Sequence, residues 1–303
     1  MGDRNRFGLQ RYIPEDVKAD VRRRSKQGCV ICRALAYDYE HIEPEFADAK
    51  EHDPRHICLL CPSHHAEVTR GRLSKQQVLS AYEGVQRSAK IRPPMHSSQL
   101  TGSLKLGLGD ALFDHMPPQA AVLRYDGEDV LKVGYVNDEV FGGSRPSISG
   151  TVCNEGGNDL IRFVDNELSI VDDSVDVRFQ GTTLRINDAN GKLVLEVTFC
   201  PPGGIRINRL RFRYGDIVCE MDQTFGLTMP ARGGRRVRLL VSGINASGAR
   251  AAIDYTSDQT KWHSGYDALK LVGGEGIWIN NTGATLAYKA GAMLLPRLKV
   301  VLA

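Results

Sequence analysis

Four cysteines crowded into one stretch constrain this chain more than any other feature. Cys29, Cys32, Cys58 and Cys61 fall within 33 positions, while Cys153, Cys200 and Cys219 are scattered through the remainder. An odd total of seven does not suit a disulfide framework, and a tight cluster with two-residue gaps suits a metal ion. The gap matters because a tight turn lets both flanking side chains converge on one ion. Cys29-Val-Ile-Cys32 supplies the first pair. Two choices exist for the second: Cys58 with Cys61, or Cys61 with His64. Either set gives tetrahedral zinc, and spacing alone favours neither. Cys58 lies inside the apolar run Ile57–Leu60, where a strand core residue would lie. The three scattered cysteines are expected to be small apolar residues in strands.

A chain of 303 residues exceeds the usual single-domain size, so two domains are expected. A hydrophobic content of 42% is ordinary for a globular protein. No run approaches the length of apolar residues needed to span a bilayer, and Met1–Tyr12 has no apolar core of a secretory signal. A cytoplasmic location without membrane contact is therefore expected. Charge is uneven. Residues 1–92 hold 17 Lys/Arg against 13 Asp/Glu, and the remainder holds 22 against 23. An anionic partner would meet the front.

Residues 1–13 read as an irregular arm. Pro14, Glu15 and Asp16 open a helix, since proline suits its first turn and acids suit its positive end. Val17 and Val21 share a face, Arg22, Arg23 and Arg24 follow, and Gly28 is expected to stop the helix. The three arginines are either a solvated helix end or phosphate contacts. A strand is expected from Ala34 to Ile42, an acidic loop over 43–55, and a second strand over His56–Leu60. Cys61-Pro62-Ser63-His64-His65 turns into a helix, and Ser74-Lys75-Gln76-Gln77 has the form of a capping box. Residues 91–119 read as a linker with one short helix near Ala111–Phe113. From Ala120 onwards short apolar runs alternate with turn signals, Asn190-Gly191 being the strongest, which indicates an all-β module.

The front of the chain resembles the HNH endonuclease family, a subset of the ββα-metal nucleases. Residues 12–85 carry the resemblance: Cys29-Val-Ile-Cys32, Glu40-His41-Ile42-Glu43-Pro44, and His56-Ile57-Cys58-Leu59-Leu60-Cys61-Pro62-Ser63-His64-His65. The resemblance implies a zinc-stapled ββα-metal domain over 1–90; with the linker over 91–119 and the β-rich domain over 120–303 read from the pattern, an α+β chain is expected. It makes Cys29, Cys32, Cys61 and His64 the structural zinc ligands. His41 would be the general base, Glu40 and His65 would hold a catalytic Mg²⁺ or Mn²⁺, and His56 would orient His41 or the phosphate. Three departures stand out: Glu40 replaces the commoner aspartate, His56 the commoner asparagine, and His64 a cysteine. The implied substrate is DNA, double-stranded, with Arg22, Arg23, Arg24, Arg70 and Arg72 as candidate phosphate contacts.

Other assignments are plainer. His52 and Glu67 have no place in the motif and are expected to be solvated. Trp262, Tyr266 and Trp278 are expected to pack a core. The β-rich domain assembles no catalytic set, and is expected to sense a partner or small-molecule signal or to hold a homo-oligomer. A nuclease head on a sensing domain is the architecture of some bacterial phage-defence effectors. The competing expectations are a zinc-stapled nucleic-acid-binding protein without catalysis, and an assembly protein with a vestigial HNH fold.

Overall fold

The computed structural model describes residues 4–85, 90–92, 104–109, 111–116, 119–125, 127–137, 144–200, 203–214, 217–221, 225–230, 236–242, 245–247, 251–255, 269–272, 277–278, 287–288 and 297–302. His96, Trp262, His263 and Tyr266, together with residues 93–103 of the expected linker, lie outside these residues. The chain has few helices and is mostly β-sheet. It divides into two compact units, residues 1–94 with 167–192, and residues 95–166 with 193–303.

In the front unit, helix α1 spans Glu15–Arg24, with Glu15 and Asp16 in its first turn and three arginines in its last. It stops before Gly28. Lys26 and Gln27 take positive φ of 51° and 66°. This costly bend is held by the Gln27 side-chain amide, whose Nε2 donates to the Val175 carbonyl at 2.6 Å and whose oxygen accepts from Val177 N at 3.0 Å. Gly28 is instead needed for space, because a Cβ there would lie 3.2 Å from the Arg33 carbonyl oxygen.

Strands β1 (Asp38–His41) and β2 (Ile57–Leu60) pair antiparallel, with Glu40 opposite Cys58 and His41 opposite Ile57. β2 is buried along its whole length and serves two cores. Cys58 and Leu60 join Cys29, Val30, Ile42, Cys61 and Val78. Ile57 and Leu59 join Ile13 and Val21, with Val17, Tyr37 and Tyr39 packed against them. The division follows from the two-residue period of a strand. Each fully buried aliphatic side chain contributes roughly 1.5–3 kcal/mol. Helix α2 (Pro62–Thr69) begins with Cys61 as its N-terminal flank. Helix α3 (Lys75–Gly84) has the expected capping box, Ser74 accepting from Gln77 N while the Gln77 side chain takes the Ser74 N–H.

Residues 167–192, expected to belong to the rear module, are part of this unit. The strand Glu167–Ile170 meets Ile91 through Leu168, and Asp176–Gln180 forms a hairpin with Thr183–Asn187. The turn at Asn190-Gly191 is formed, with Gly191 at φ +74° and its N–H donating to Asp188 O at 2.9 Å.

The rear unit is built of strands. One antiparallel series runs 193–200, 204–214, 217–221, 225–230, 236–242, 297–302. Two strands, Leu104–Leu108 and Ala111–Met116, lie where the sequence predicts a linker and a short helix; they pair with each other, and the first also pairs in parallel with 204–207. The reason is burial with a period of two: Leu104, Leu106, Ala111 and Phe113 are buried while Lys105 is exposed. A second series runs 269–272, 251–255, 119–125, 128–137, 144–153, 159–164. Gly150, at φ +147°, lets two of its strands approach, since a Cβ there would sit 2.3 Å from the Val130 carbonyl oxygen. No helix among the described residues is long and apolar enough to cross a membrane.

Candidate metal centre and adjoining histidine site

The Cys29–Ala34 segment is a tight knuckle, closed by Cys29 N donating to Ala34 O and Arg33 N donating to Cys29 O, both at 2.9 Å. Arg33, at φ 65°, turns its guanidinium back into the knuckle. It donates to the carbonyls of Ser25, Gly28 and Cys29 at 3.0–3.3 Å, and to that of Lys26. The second half of the centre comes from the start of α2, where Cys61 flanks the helix and His64 lies one turn on.

The ligand atoms of Cys29, Cys32, Cys61 and His64 all lie within 4.8 Å of one another. Cys61 Sγ is 3.2 Å and Cys29 Sγ 3.5 Å from His64 Nδ1, and Cys32 Sγ is 3.7 Å from Cys61 Sγ. A tetrahedral ion with sulfur ligands at about 2.3 Å has ligand-to-ligand edges of about 3.8 Å. These four residues could therefore hold a metal ion such as zinc. The electrostatics agree with such a role. Burial pushes the Cys32 thiol up to about 12, and the neighbouring Cys29 and Cys61 add to the shift. A divalent cation offsets that cost, whereas three thiolates alone would repel one another. Cys58 stands apart from the four. It is fully buried in β2, and burial pushes its thiol up to about 12.

Beside this centre, Glu40 and His41 diverge from successive positions of β1, as neighbouring strand residues do. Glu40 faces the helices. Its Oε2 lies 2.9 Å from His65 Nε2 on α2, and its Oε1 accepts from the Lys75 ammonium at the start of α3. Lys75 also donates to the His41 carbonyl at 2.5 Å. The His41 ring turns instead towards the 43–55 loop and is buried there, 8% exposed. It packs 5.5 Å from the Phe46 ring, and its Nε2 lies 3.2 Å from His52 Nδ1. Burial, with the charges of His52, Lys75 and Arg11 adding, lowers the His41 pKa to about 4. The imidazole is thus neutral at neutral pH.

His52, read from sequence as solvated, is the residue that orients this ring. Its Nε2 lies 2.9 Å from the Gln10 carbonyl. A carbonyl only accepts, so His52 carries its proton on Nε2 and, when neutral, offers a lone pair at Nδ1. His41 therefore donates from Nε2 and keeps its lone pair on Nδ1. The link joins positions 10, 41 and 52 across a loop, and no sequence spacing announces it.

The other expected site residues are dispersed. The His56 side chain is exposed, 3.9 Å from Asp53, and its nearest tie to the site is its carbonyl, which accepts from Ile42 N at 2.8 Å. Arg22 is not a phosphate contact: it is 2% exposed, with Nε and Nη2 on the two Asp176 oxygens at 2.5 and 2.9 Å and Nη1 on Tyr39 Oη at 2.6 Å. Arg23 and Arg24 are exposed, the former paired with Asp20 at 2.6 Å and the latter bonded to Tyr82. Arg70 and Arg72 are exposed, with Arg72 3.4 Å from Glu67. In the rear unit, a cavity of about 470 Å³ is lined by residues including Asp129, Lys132, Tyr135, Ser149 and Arg162. Two of its charged groups are already satisfied, Asp129 by Arg124 and Arg162 by Asp159.

No protein-family model matches the chain, and no curated protein or solved structure matches it.

Proposed function

We propose that this chain is a metal-dependent endonuclease of the HNH type that hydrolyses phosphodiester bonds in DNA. The observation that carries the reading is the junction of Glu40 and His65 at 2.9 Å, one residue from a neutral, oriented His41 and next to a site fit for zinc. Structural zinc at Cys29, Cys32, Cys61 and His64 staples the two strands and α2 into one piece, which a motif this small needs.

In the proposed reaction, His41 Nδ1 takes a proton from water as the water oxygen forms a bond to phosphorus. The bond to the 3′ oxygen breaks, and that oxygen takes a proton from solvent water, leaving a 5′ phosphate and a 3′ hydroxyl. A base must be unprotonated at the working pH, and burial of His41 ensures this. His52 and Gln10 fix which nitrogen does the work. Lys75 holds the carboxylate of Glu40 and the backbone of His41 in one geometry, and its charge lies close to where phosphate negative charge would gather. Glu40 and His65 fit a hydrated Mg²⁺ or Mn²⁺, since such ions accept one or two protein ligands and keep water on the rest. When bound, that ion would neutralise charge on the phosphate and the departing oxygen. The β-rich unit, in this proposal, carries the controlling signal or the oligomer contact, as in a phage-defence effector.

A second reading has its own support. Lys75 and His65 between them occupy both oxygens of Glu40, which is also what a purely structural ion pair would do. The protein would then be a zinc-stapled DNA binder. Plasmid incubated with Mg²⁺ or Mn²⁺, beside a His41→Ala control, separates the two. Nicking that disappears in the variant supports the nuclease. DNA binding without cutting under either metal supports the binder.

A further inference from the structure

Residues 4–13 form a small hairpin that touches the candidate site through the Gln10 carbonyl and the Arg11 charge. Asn5 N donates to Leu9 O at 2.9 Å, and the Asn5 side-chain oxygen accepts from Phe7 N and Leu9 N. The same side chain then pins the hairpin to the 43–55 loop, its Nδ2 donating to the Phe46 and Ala49 carbonyls at 2.6 Å each. Gln10 adds the bond from His52. The hairpin is thus fixed to the loop that positions His41.

This fixed hairpin displays aromatic rings to solvent. Phe7 is 50% and Tyr12 63% exposed, and they are the aromatic members of the exposed large apolar side chains among the described residues. Each has cations close to its ring. Arg6 lies 4.9 Å and Lys50 5.7 Å from the Phe7 centroid, and Lys18 lies 4.7 Å from that of Tyr12. Arg11 lies 4.7 Å from the centroid of Phe46, the ring that packs on His41. Positions 4–13 hold three arginines and no carboxylate. Asp48 neutralises one of them, Arg6, at 2.7 Å, and Glu15 pairs with Lys18 at 2.9 Å. Positive charge beside exposed rings matches a polyanion that carries flat apolar groups, which describes a nucleic-acid strand whose bases are unpaired. A second copy of the chain fits less well. Two half-exposed rings of about 200 Å² each fall well short of the roughly 800 Å² per partner that a stable interface buries.

We infer that the Arg4–Ile13 hairpin is a ledge for an unpaired DNA strand, with Phe7 and Tyr12 stacking on bases and Arg11 and Lys50 following the phosphates towards His41. This rests on the nuclease reading and narrows its substrate to DNA with a single-stranded stretch beside the scissile phosphate. Duplex bases cannot stack on these rings without opening.

The test measures binding without cutting, by fluorescence anisotropy of the full chain in buffer free of Mg²⁺ and Mn²⁺. Three labelled probes are compared: a single strand, a blunt duplex and the same duplex with an overhang. Phe7→Ala/Tyr12→Ala is expected to weaken binding of the single strand and the overhang by about tenfold per ring, and of the blunt duplex little. Tyr12→Phe is expected to retain binding, and Tyr12→Trp to show fluorescence quenching when the single strand is added. Unchanged single-strand affinity in the double variant overturns the ledge, as does equal loss on all three probes. A double variant that shifts from dimer to monomer in light scattering also overturns it, because the rings then face another protein. The two claims fail separately. His41-dependent plasmid nicking with normal strand binding by the double variant removes the ledge and leaves the nuclease. Strand binding lost in the double variant, in a protein that cuts neither plasmid nor the overhang duplex with Mg²⁺ or Mn²⁺, does the reverse.

Discussion

Replacing Asp176 by alanine should destabilise the front unit from a position 135 residues after His41. Asp176 receives two bonds from Arg22 at 2.5 and 2.9 Å, and the Arg22 side chain is 3% exposed. Removing the carboxylate leaves a guanidinium in a dry site with one remaining partner, Tyr39 Oη. Breaking a buried pair from one side costs about 3–5 kcal/mol, and the lower end applies because Tyr39 stays. The further pair from Arg178 to Asp176 is about one-third exposed at the arginine and adds little. For a unit of roughly 120 residues this corresponds to a fall in midpoint on the order of 10 °C. The acid dependence has a definite sign. Burial alone would raise the Asp176 pKa, but the bonds from Arg22 and Arg178 lower it below 3.8. A depressed carboxylate stabilises the fold above its ordinary pKa, and that contribution is lost as pH falls through the depressed value. Wild type and Asp176→Ala should therefore differ fully at pH 6, begin to converge as pH falls below about 3.8, and meet only beneath the depressed value. Hydrogen exchange at the Ile57–Leu60 amides reads the front unit specifically. A double change, Arg22→Met with Asp176→Leu, should restore most of the loss, since no charge is then stranded. A loss below about 1 kcal/mol in Asp176→Ala, or no recovery in the double variant, would refute the claim that this pair is buried and balanced.

Metal content by elemental analysis should drop to zero in Cys61→Ser and His64→Ala and stay at one zinc in Cys58→Ala, the last losing about 1–2 kcal/mol of core packing. His52→Ala should reduce nicking turnover by on the order of 10²-fold with KM unchanged, because it frees the His41 ring without touching substrate; an effect confined to KM would place His52 at the substrate instead. The pH profile of nicking should fall only near pH 4, where His41 protonates, rather than near 6.5. A limb near 6.5 would mean that His41 is solvated or is not the base.

Features that depend on short spacings are legible in the sequence. The Cys29/Cys32 turn, the Cys61/His64 turn and the Ser74 capping box are each fixed within four residues, and the sequence reading of them agrees with the geometry. Spacing leaves the Cys58 alternative open; the geometry closes it, because the ligand atoms that converge are those of Cys29, Cys32, Cys61 and His64. Long-range partners leave no local trace. Arg22 reads as a solvated helix end or a phosphate contact because Asp176 lies 154 positions away. His52 reads as solvated because its role needs the 43–55 loop and the arm around Gln10 to close on it. The strands at 104–108 and 111–116 are hidden by glycines and by the apolar Leu112 on the less buried side, which blurs the alternation.

The borrowing of residues 167–192 by the front unit has a consequence for synthesis. A ribosome that has released the first 94 residues has delivered every candidate catalytic and metal-binding side chain, yet not the hairpin that anchors Gln27 and Arg22. The head waits for well over half of the chain to emerge before it can lock. In a cell, that delay would leave the Arg22 guanidinium without its carboxylate partner in abandoned, partly translated polypeptides.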